Sequence, residues 1–132
     1  MKDKPLPEPS PSLPLVLVVD DNERNLKLAR DVLLAGGFRV LEAATATDGI
    51  ALAEEHLPDV VLMDLRLPDI DGSEAARALA DAARTAAIPV VAFSSLAIEN
   101  DDWLRDAGFA GSLAKPIDVE AFPDQVRRFC RG

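Results

Sequence analysis

The stretch VVLMDLRLPDIDG (60–72) runs through four apolar residues and then stops on a carboxylate, Asp64, followed by a Leu-Pro-Asp turn and a glycine. Taken alone, Asp64 could serve only turn chemistry, because aspartate opens turns and caps helices. Three other apolar runs also end on polar side chains. LVLVV (15–19) leads into Asp20 and Asp21, PVVAF (89–93) into Ser94 and Ser95, and AGSLA (110–114) into Lys115 and Pro116. If these ends met, three carboxylates would repel one another and demand protons or a cation. A hard divalent ion that keeps several waters, Mg²⁺ or Mn²⁺, suits all-oxygen donors best. With Asp20 and Asp21 carrying the ion, Asp64 becomes a nucleophile that needs no base, since a carboxylate is already ionised at pH 7. The Lys115 ammonium and the Ser94 hydroxyl would then meet the equatorial oxygens of a phosphoryl group in transit.

The pattern between these residues says how they could meet. The run 15–19 is valine-rich and reads as a buried strand. A helix follows with Leu26, Ala29, Val32 and Leu33 at helical spacing, closed by Gly36-Gly37. FRVLEA (38–43) reads as a partly polar strand near an edge. Thr47 is placed to cap a second helix holding Ile50, Leu52 and Ala53, which ends before Pro58. VVLM (60–63) is the third strand, Gly72 to about Arg84 an alanine-rich helix, and 89–93 the fourth strand. A helix over roughly 97–107 closes at Gly108, a weaker strand spans 110–114, and a last helix spans 118–130, where Pro123 should kink it or delay its start. Strands alternating with crossover-length segments predict an α/β fold with a parallel sheet covered on both faces. In such a sheet all strand C-termini share one edge, and that edge is where ligands bind.

Composition narrows the class. The chain has room for one domain; its 48% hydrophobic content supports a core, but with aromatics at 5% alanine and aliphatic residues must fill it. A net charge of −9 argues against nucleic acid or an anionic membrane surface as the main partner. A single cysteine precludes an internal disulfide, and no apolar run reaches membrane-spanning length. Two lysines without a following apolar stretch do not make a secretory leader, so the expected location is cytoplasmic. Residues 1–14 carry prolines at 5, 7, 9, 11 and 14 and read as a flexible polyproline-like tail ahead of a domain over 15–132.

The stretches VVDDN, LMDLRLPDIDG, VVAFSS and LAKPI, in this order and spacing, resemble the receiver domains of two-component response regulators. The resemblance covers about Leu15 to Phe129 and implies a flavodoxin-like (βα)5 fold whose five parallel strands lie in the order 2-1-3-4-5. It implies a phosphoprotein that takes a phosphoryl group from a phosphohistidine of a sensor histidine kinase or histidine phosphotransfer protein onto Asp64. Asp20, Asp21, Asp64 and the backbone carbonyl of Arg66 would hold Mg²⁺ (or Mn²⁺), Ser94 and Lys115 would bind phosphoryl oxygens, and Lys115–Pro116 would be a cis peptide. The output would be a switch rather than an enzyme's product: recruitment of Ser94 alters the face made by the fourth helix, fifth strand and fifth helix, and with it binding of a downstream protein target, as a monomer or weak dimer.

Several residues depart from the family pattern. Ser112 stands where relatives usually carry a switch aromatic. Arg66 and Leu96, each two positions after a site residue, are placed to modulate the phosphorylated lifetime. The chain ends at Gly132 just after the last helix, which suits either a stand-alone domain or one excised from a larger protein. His56 near a helix C-terminus suits the helix dipole. Arg127, Arg128 and Arg131 suit it likewise, Cys130 falls on a core spacing, and ENDDW (99–103) reads as a solvated helix start with Trp103 partly exposed. Two further readings compete: a receiver-like module that binds partners without phosphorylation, and a metal-dependent phosphatase with an aspartyl nucleophile, for which Arg66 denies the second acid of a D-x-D pair.

Overall fold

The computed structural model describes residues 13–94 and 101–130. Five strands alternate with five helices: β1 (Leu15–Val19), α1 (Glu23–Ala35), β2 (Arg39–Ala43), α2 (Ala46–His56), β3 (Val60–Met63), α3 (Gly72–Asp81), β4 (Val90–Ser94), α4 (Asp101–Asp106), β5 (Gly111–Ala114) and α5 (Phe122–Phe129). All neighbouring strands pair in parallel, in the order β2-β1-β3-β4-β5. The flavodoxin-like architecture expected from the resemblance is the one observed.

Alternation along the strands sorts their side chains into two cores. Val16, Val18, Val60, Leu62, Val91 and Phe93 face α1 and α5, where Leu26, Ala29, Leu33, Phe122 and Val126 meet them. Leu17, Val19, Val61, Met63 and Ala92 face α2, α3 and α4, which present mainly alanines, with Leu79 and Leu104. The few aromatics are concentrated on the first side, where Phe93 and Phe122 stack at 5.9 Å. Central strands β1 and β3 are buried on both faces, whereas β2 is half-exposed as an edge strand.

Local chemistry accounts for the element boundaries, some of which differ from the sequence-based expectation. Asn22 caps α1 by accepting from the Arg24 and Asn25 N–H groups, and the helix closes at Gly36-Gly37, with Gly37 at φ +91°. The cap of α2 is Thr45, not Thr47: Thr45 accepts from Asp48 N–H, and the Thr47 hydroxyl is turned to Asp69 instead. Ser94 belongs to β4 itself, one residue beyond the expected end. Helix α3 ends at Asp81 rather than near Arg84. Helix α5 starts late, at Phe122, because Asp118 spends its carboxylate on the turn amides of Glu120 and Ala121 and Pro123 then fits the first turn. Arg127 ties α5 to α1 by donating to the Gly36 carbonyl (2.8 Å) while lying 4.8 Å from the Phe38 ring. No helix among the described residues is long and apolar enough to cross a membrane.

Candidate functional site

The strand register decides which residues share the C-terminal edge. Val19 pairs with Met63, and Met63 with Ala92, so the residues immediately after β1 and β3, Asp20 and Asp64, emerge side by side with Ser94 close beyond. Backbone bonds pin both acids: Asp20 N–H donates to Ala43 O, and Asp64 N–H to Val19 O. Lys115 follows β5, and its N–H donates to the Ser94 carbonyl at 2.9 Å, keeping β4 and β5 in step up to the edge. The Lys115–Pro116 peptide is cis.

Asp20, Asp21 and Asp64 each offer a carboxylate oxygen within a 4.8 Å cluster. Asp20 is fully buried, Asp64 nearly so, and Asp21 is exposed. The buried Asp20 has a full set of partners: the Asn22 N–H (2.9 Å) and Asn25 side-chain amide (3.3 Å) from α1, and the Lys115 ammonium (2.8 Å). Lys115 Nζ also lies 3.4 Å from Asp64 Oδ2, and 5.0 Å from the centre of the Phe93 ring. The other Asp64 oxygen accepts from the Arg66 N–H at 3.1 Å. Burial pushes the Asp64 carboxyl above its ordinary value, and the Asp20 charge adds to that. The Arg66 N–H and Lys115 oppose it. A cation beside Asp64 would reverse that balance. The donor set fits Mg²⁺: three hard oxygens from Asp20, Asp21 and Asp64, with an exposed member leaving a side open for water.

The loop behind Asp64 is tightly folded. Gly72 N–H donates to Leu65 O (3.1 Å), and a Cβ on Gly72 would stand 2.2 Å from the Asp64 carbonyl oxygen. The DG of the sequence thus has two tasks, Asp71 capping α3 through Ser73 N–H and Gly72 letting the helix start touch the Asp64 backbone.

A family model for the response regulator receiver domain matches residues 16–127. This chain belongs to the receiver domain family of response regulators. Among relatives, the receiver domain is 35% identical over 115 residues to the polar-differentiation response regulator DivK of Brucella ovis, covering 86% of this chain and 94% of that one. Among solved structures, it superposes on the chemotaxis protein CheY4 of Vibrio cholerae with a TM-score of 0.83 at 23% identity, covering 89% and 99% of the two chains. It superposes on the receiver domain of the sensor histidine kinase PA1611 of Pseudomonas aeruginosa with a TM-score of 0.80 at 28% identity, covering 89% and 98%; that structure has a magnesium ion coordinated in its active site cleft.

Of the other residues singled out from the sequence, His56 and Cys130 lie at the C-terminal ends of α2 and α5, away from the carboxylate edge. The Arg66 side chain is exposed, with no hydrogen bond or ion pair among the described residues. Ser112 lies in β5 opposite Ala92 and half-buried. Phe109 is buried and stacks on Trp103 at 6.3 Å, and Trp103 is 43% exposed. His56 is exposed in the last turn of α2 near Glu55. Cys130 is half-buried at the end of α5, and burial pushes its thiol up to about 11. Leu96, Ser95, residues 99 and 100, the tail over 1–12 and Arg131 lie outside the described residues. Sequence reasoning missed Asn25, one turn along α1 and within reach of Asp20, and Asp69, which holds the start of α2. The Asn25 position had a signal in the DDNxxN spacing, but Asp69 acts across 22 and 23 residues and had none.

Proposed function

We propose that this receiver domain accepts a phosphoryl group on Asp64 from a phosphohistidine of a sensor histidine kinase or histidine phosphotransfer protein, in a Mg²⁺-dependent reaction. The observation that carries the reading is the convergence of Asp20, Asp21 and Asp64 with the Lys115 ammonium at one sheet edge. Asp20, Asp21 and Asp64, with the Arg66 backbone carbonyl, would hold the ion, which supplies charge neutralisation on phosphoryl oxygens. The Arg66 N–H engages Asp64 Oδ1 and so directs Oδ2 toward Lys115 and the incoming group. Oδ2 forms a bond to phosphorus as the P–N bond breaks, and the electron pair leaves on the imidazole nitrogen. No proton need leave Asp64 once it is ionised. Lys115, now shared between Asp20 and Asp64, would swing onto a phosphoryl oxygen, and the Ser94 hydroxyl would take another. Release is the attack of water on the same phosphorus, giving back the carboxylate and free phosphate.

The charge gained at Asp64 would be read by displacement of Ser94 and Lys115, and through them of β4, β5 and the α4-β5-α5 face that meets a downstream protein. With Ser112 in β5, that displacement travels through backbone and helix shifts rather than through an aromatic rotamer at 112. Arg66, exposed at the mouth, would shape the lifetime of the phosphorylated form, as would Leu96. A calorimetric titration with beryllofluoride, with and without Mg²⁺, tests the reading. Saturable binding that requires Mg²⁺ and is absent in Asp64→Asn supports it. Heat that persists in Asp64→Asn, or none in the wild type, would leave a receiver fold used for phosphorylation-independent binding.

A further inference from the structure

We propose that Asp69, five residues beyond the acceptor, is a positioning residue that clamps the acceptor loop to the first turn of α2 and so sets the affinity of the site for Mg²⁺. This rests on the reading of Asp64 as the acceptor and of the Arg66 carbonyl as a metal ligand. The Asp69 carboxylate takes three donors from α2: Ala46 N–H (2.9 Å) on one oxygen, and Thr47 N–H (2.8 Å) and Thr47 hydroxyl (2.6 Å) on the other.

The accounting at this helix start is complete only with Asp69. Of the first three amide donors of α2, which have no partner inside the helix, Asp48 N–H goes to the Thr45 hydroxyl, while Ala46 and Thr47 both go to Asp69. Ala46 is fully buried, so water cannot simply replace the carboxylate there. The negative charge also sits at the positive end of an eleven-residue helix. Those hydrogen bonds, from Thr47 first, hold the Asp69 carboxyl well below the usual carboxylate range.

The clamp matters for the site because of what lies on each side of it. The loop from Leu65 to Gly72 is closed at its base by the Gly72–Leu65 backbone bond and tethered at its tip by Asp69. Between the two tethers lies Arg66, whose N–H orients the acceptor carboxylate and whose carbonyl is the fourth proposed ligand. On the other side, Gly49 in the first turn of α2 lets that turn press on β1, since a Cβ there would stand 2.7 Å from Val19 Cγ2, next to Asp20. One helical turn therefore braces both arms of the site, the β1 end with Asp20 and the β3 loop with Asp64 and Arg66. Freed at its tip, the loop would sample positions in which the Arg66 carbonyl and N–H miss their partners.

The test is a titration with Mg²⁺ alone, followed by amide chemical shifts, beside thermal unfolding, on the wild type, Asp69→Ala, Asp69→Asn and Thr47→Val. Residues that orient metal ligands typically govern affinity by at least about tenfold. The half-saturating Mg²⁺ concentration should rise by about that factor in Asp69→Ala, by less in Asp69→Asn, and by a few-fold in Thr47→Val, whose backbone clamp persists and whose fold is not at risk. A lowered Tm with an unchanged half-saturation in these variants would make Asp69 a cap and nothing more, and overturn the inference while leaving the acceptor reading intact. A wild type that shows no response to Mg²⁺ and no Asp64-dependent beryllofluoride binding would remove the reading and this inference with it.

Discussion

Replacing Gly72 by alanine sets two effects of opposite sign against each other beside Asp64. Helix propensity favours alanine, by up to about 1 kcal/mol in a helix interior and less in a first turn. Contact geometry opposes it. The new Cβ would lie 2.2 Å from Asp64 O, 2.8 Å from Leu65 Cα and 3.0 Å from the Asp64 carbonyl carbon, where ordinary contact begins at 3.4 Å. All three atoms are backbone, so no rotamer change relieves the overlap, and the start of α3 and the Asp64 peptide must part by roughly 1 Å in a close-packed setting. Overpacking of this kind costs about 1–3 kcal/mol, which outweighs the propensity gain. For a domain of this size that lowers Tm on the order of 5–10 °C. If Asp64 is the nucleophile, displacing it by about 1 Å should slow its phosphorylation by acetyl phosphate on the order of a hundredfold. Thermal unfolding and a phosphorylation time course read both numbers, with Gly37→Ala as the control. Gly37 has φ +91° and open space around its Cβ position, so its substitution should cost about 1 kcal/mol of backbone strain and leave phosphorylation untouched. A Gly72→Ala protein as stable and as readily phosphorylated as the wild type would refute the close approach on which the loop geometry rests.

Other expectations follow from single contacts. Lys115→Met leaves the fully buried Asp20 with only the Asn22 and Asn25 donors, which should cost roughly 3 kcal/mol without Mg²⁺. Millimolar Mg²⁺ should recover part of that loss, and an unchanged Tm in chelator would contradict the role given to the ammonium. Arg127→Ala removes the Gly36 hydrogen bond and the Phe38 contact, for about 1–2 kcal/mol in urea unfolding, with no change in beryllofluoride binding. The Cys130 thiol, pushed up to about 11 from 9.0, should react with iodoacetamide at pH 8 about a hundredfold more slowly in the folded than in the unfolded protein. Because its folded value is the higher one, the unfolded thiol ionises first, so stability has no contribution from Cys130 below pH 9 and falls as pH rises toward 11. Cys130→Ala should flatten that alkaline limb.

Sequence made the strands and the acidic edge legible for a physical reason: both depend on short-range pattern. Valine-rich runs such as 15–19 and 60–63, preceded by proline at 14 and 58 and each ended by an aspartate, read as buried strands, and a parallel sheet then collects their C-terminal residues. The family motifs, read in order, pointed to Asp20, Asp21, Asp64 and Lys115, whose side chains lie together at that edge. What sequence could not supply depends on contacts between distant segments. Local chemistry alone suggests Thr47 as the cap, whereas Asp69 takes the Thr47 hydroxyl from 22 residues away and Thr45 caps the helix. Arg127 fitted a helix dipole, and it is the Gly36 carbonyl 91 residues away that holds it. Pro123 was legible as a disturbance, and its resolution as a late helix start required knowing that Asp118 is occupied by the preceding turn.

The central claim is that Asp64 is the residue that becomes phosphorylated. Intact mass after incubation with acetyl phosphate, with Mg²⁺ and with chelator, on the wild type and Asp64→Asn, tests it most directly. A gain of one phosphoryl mass that requires Mg²⁺ and vanishes in Asp64→Asn is the predicted result. No gain in the wild type, or an equal gain in the variant, would contradict it.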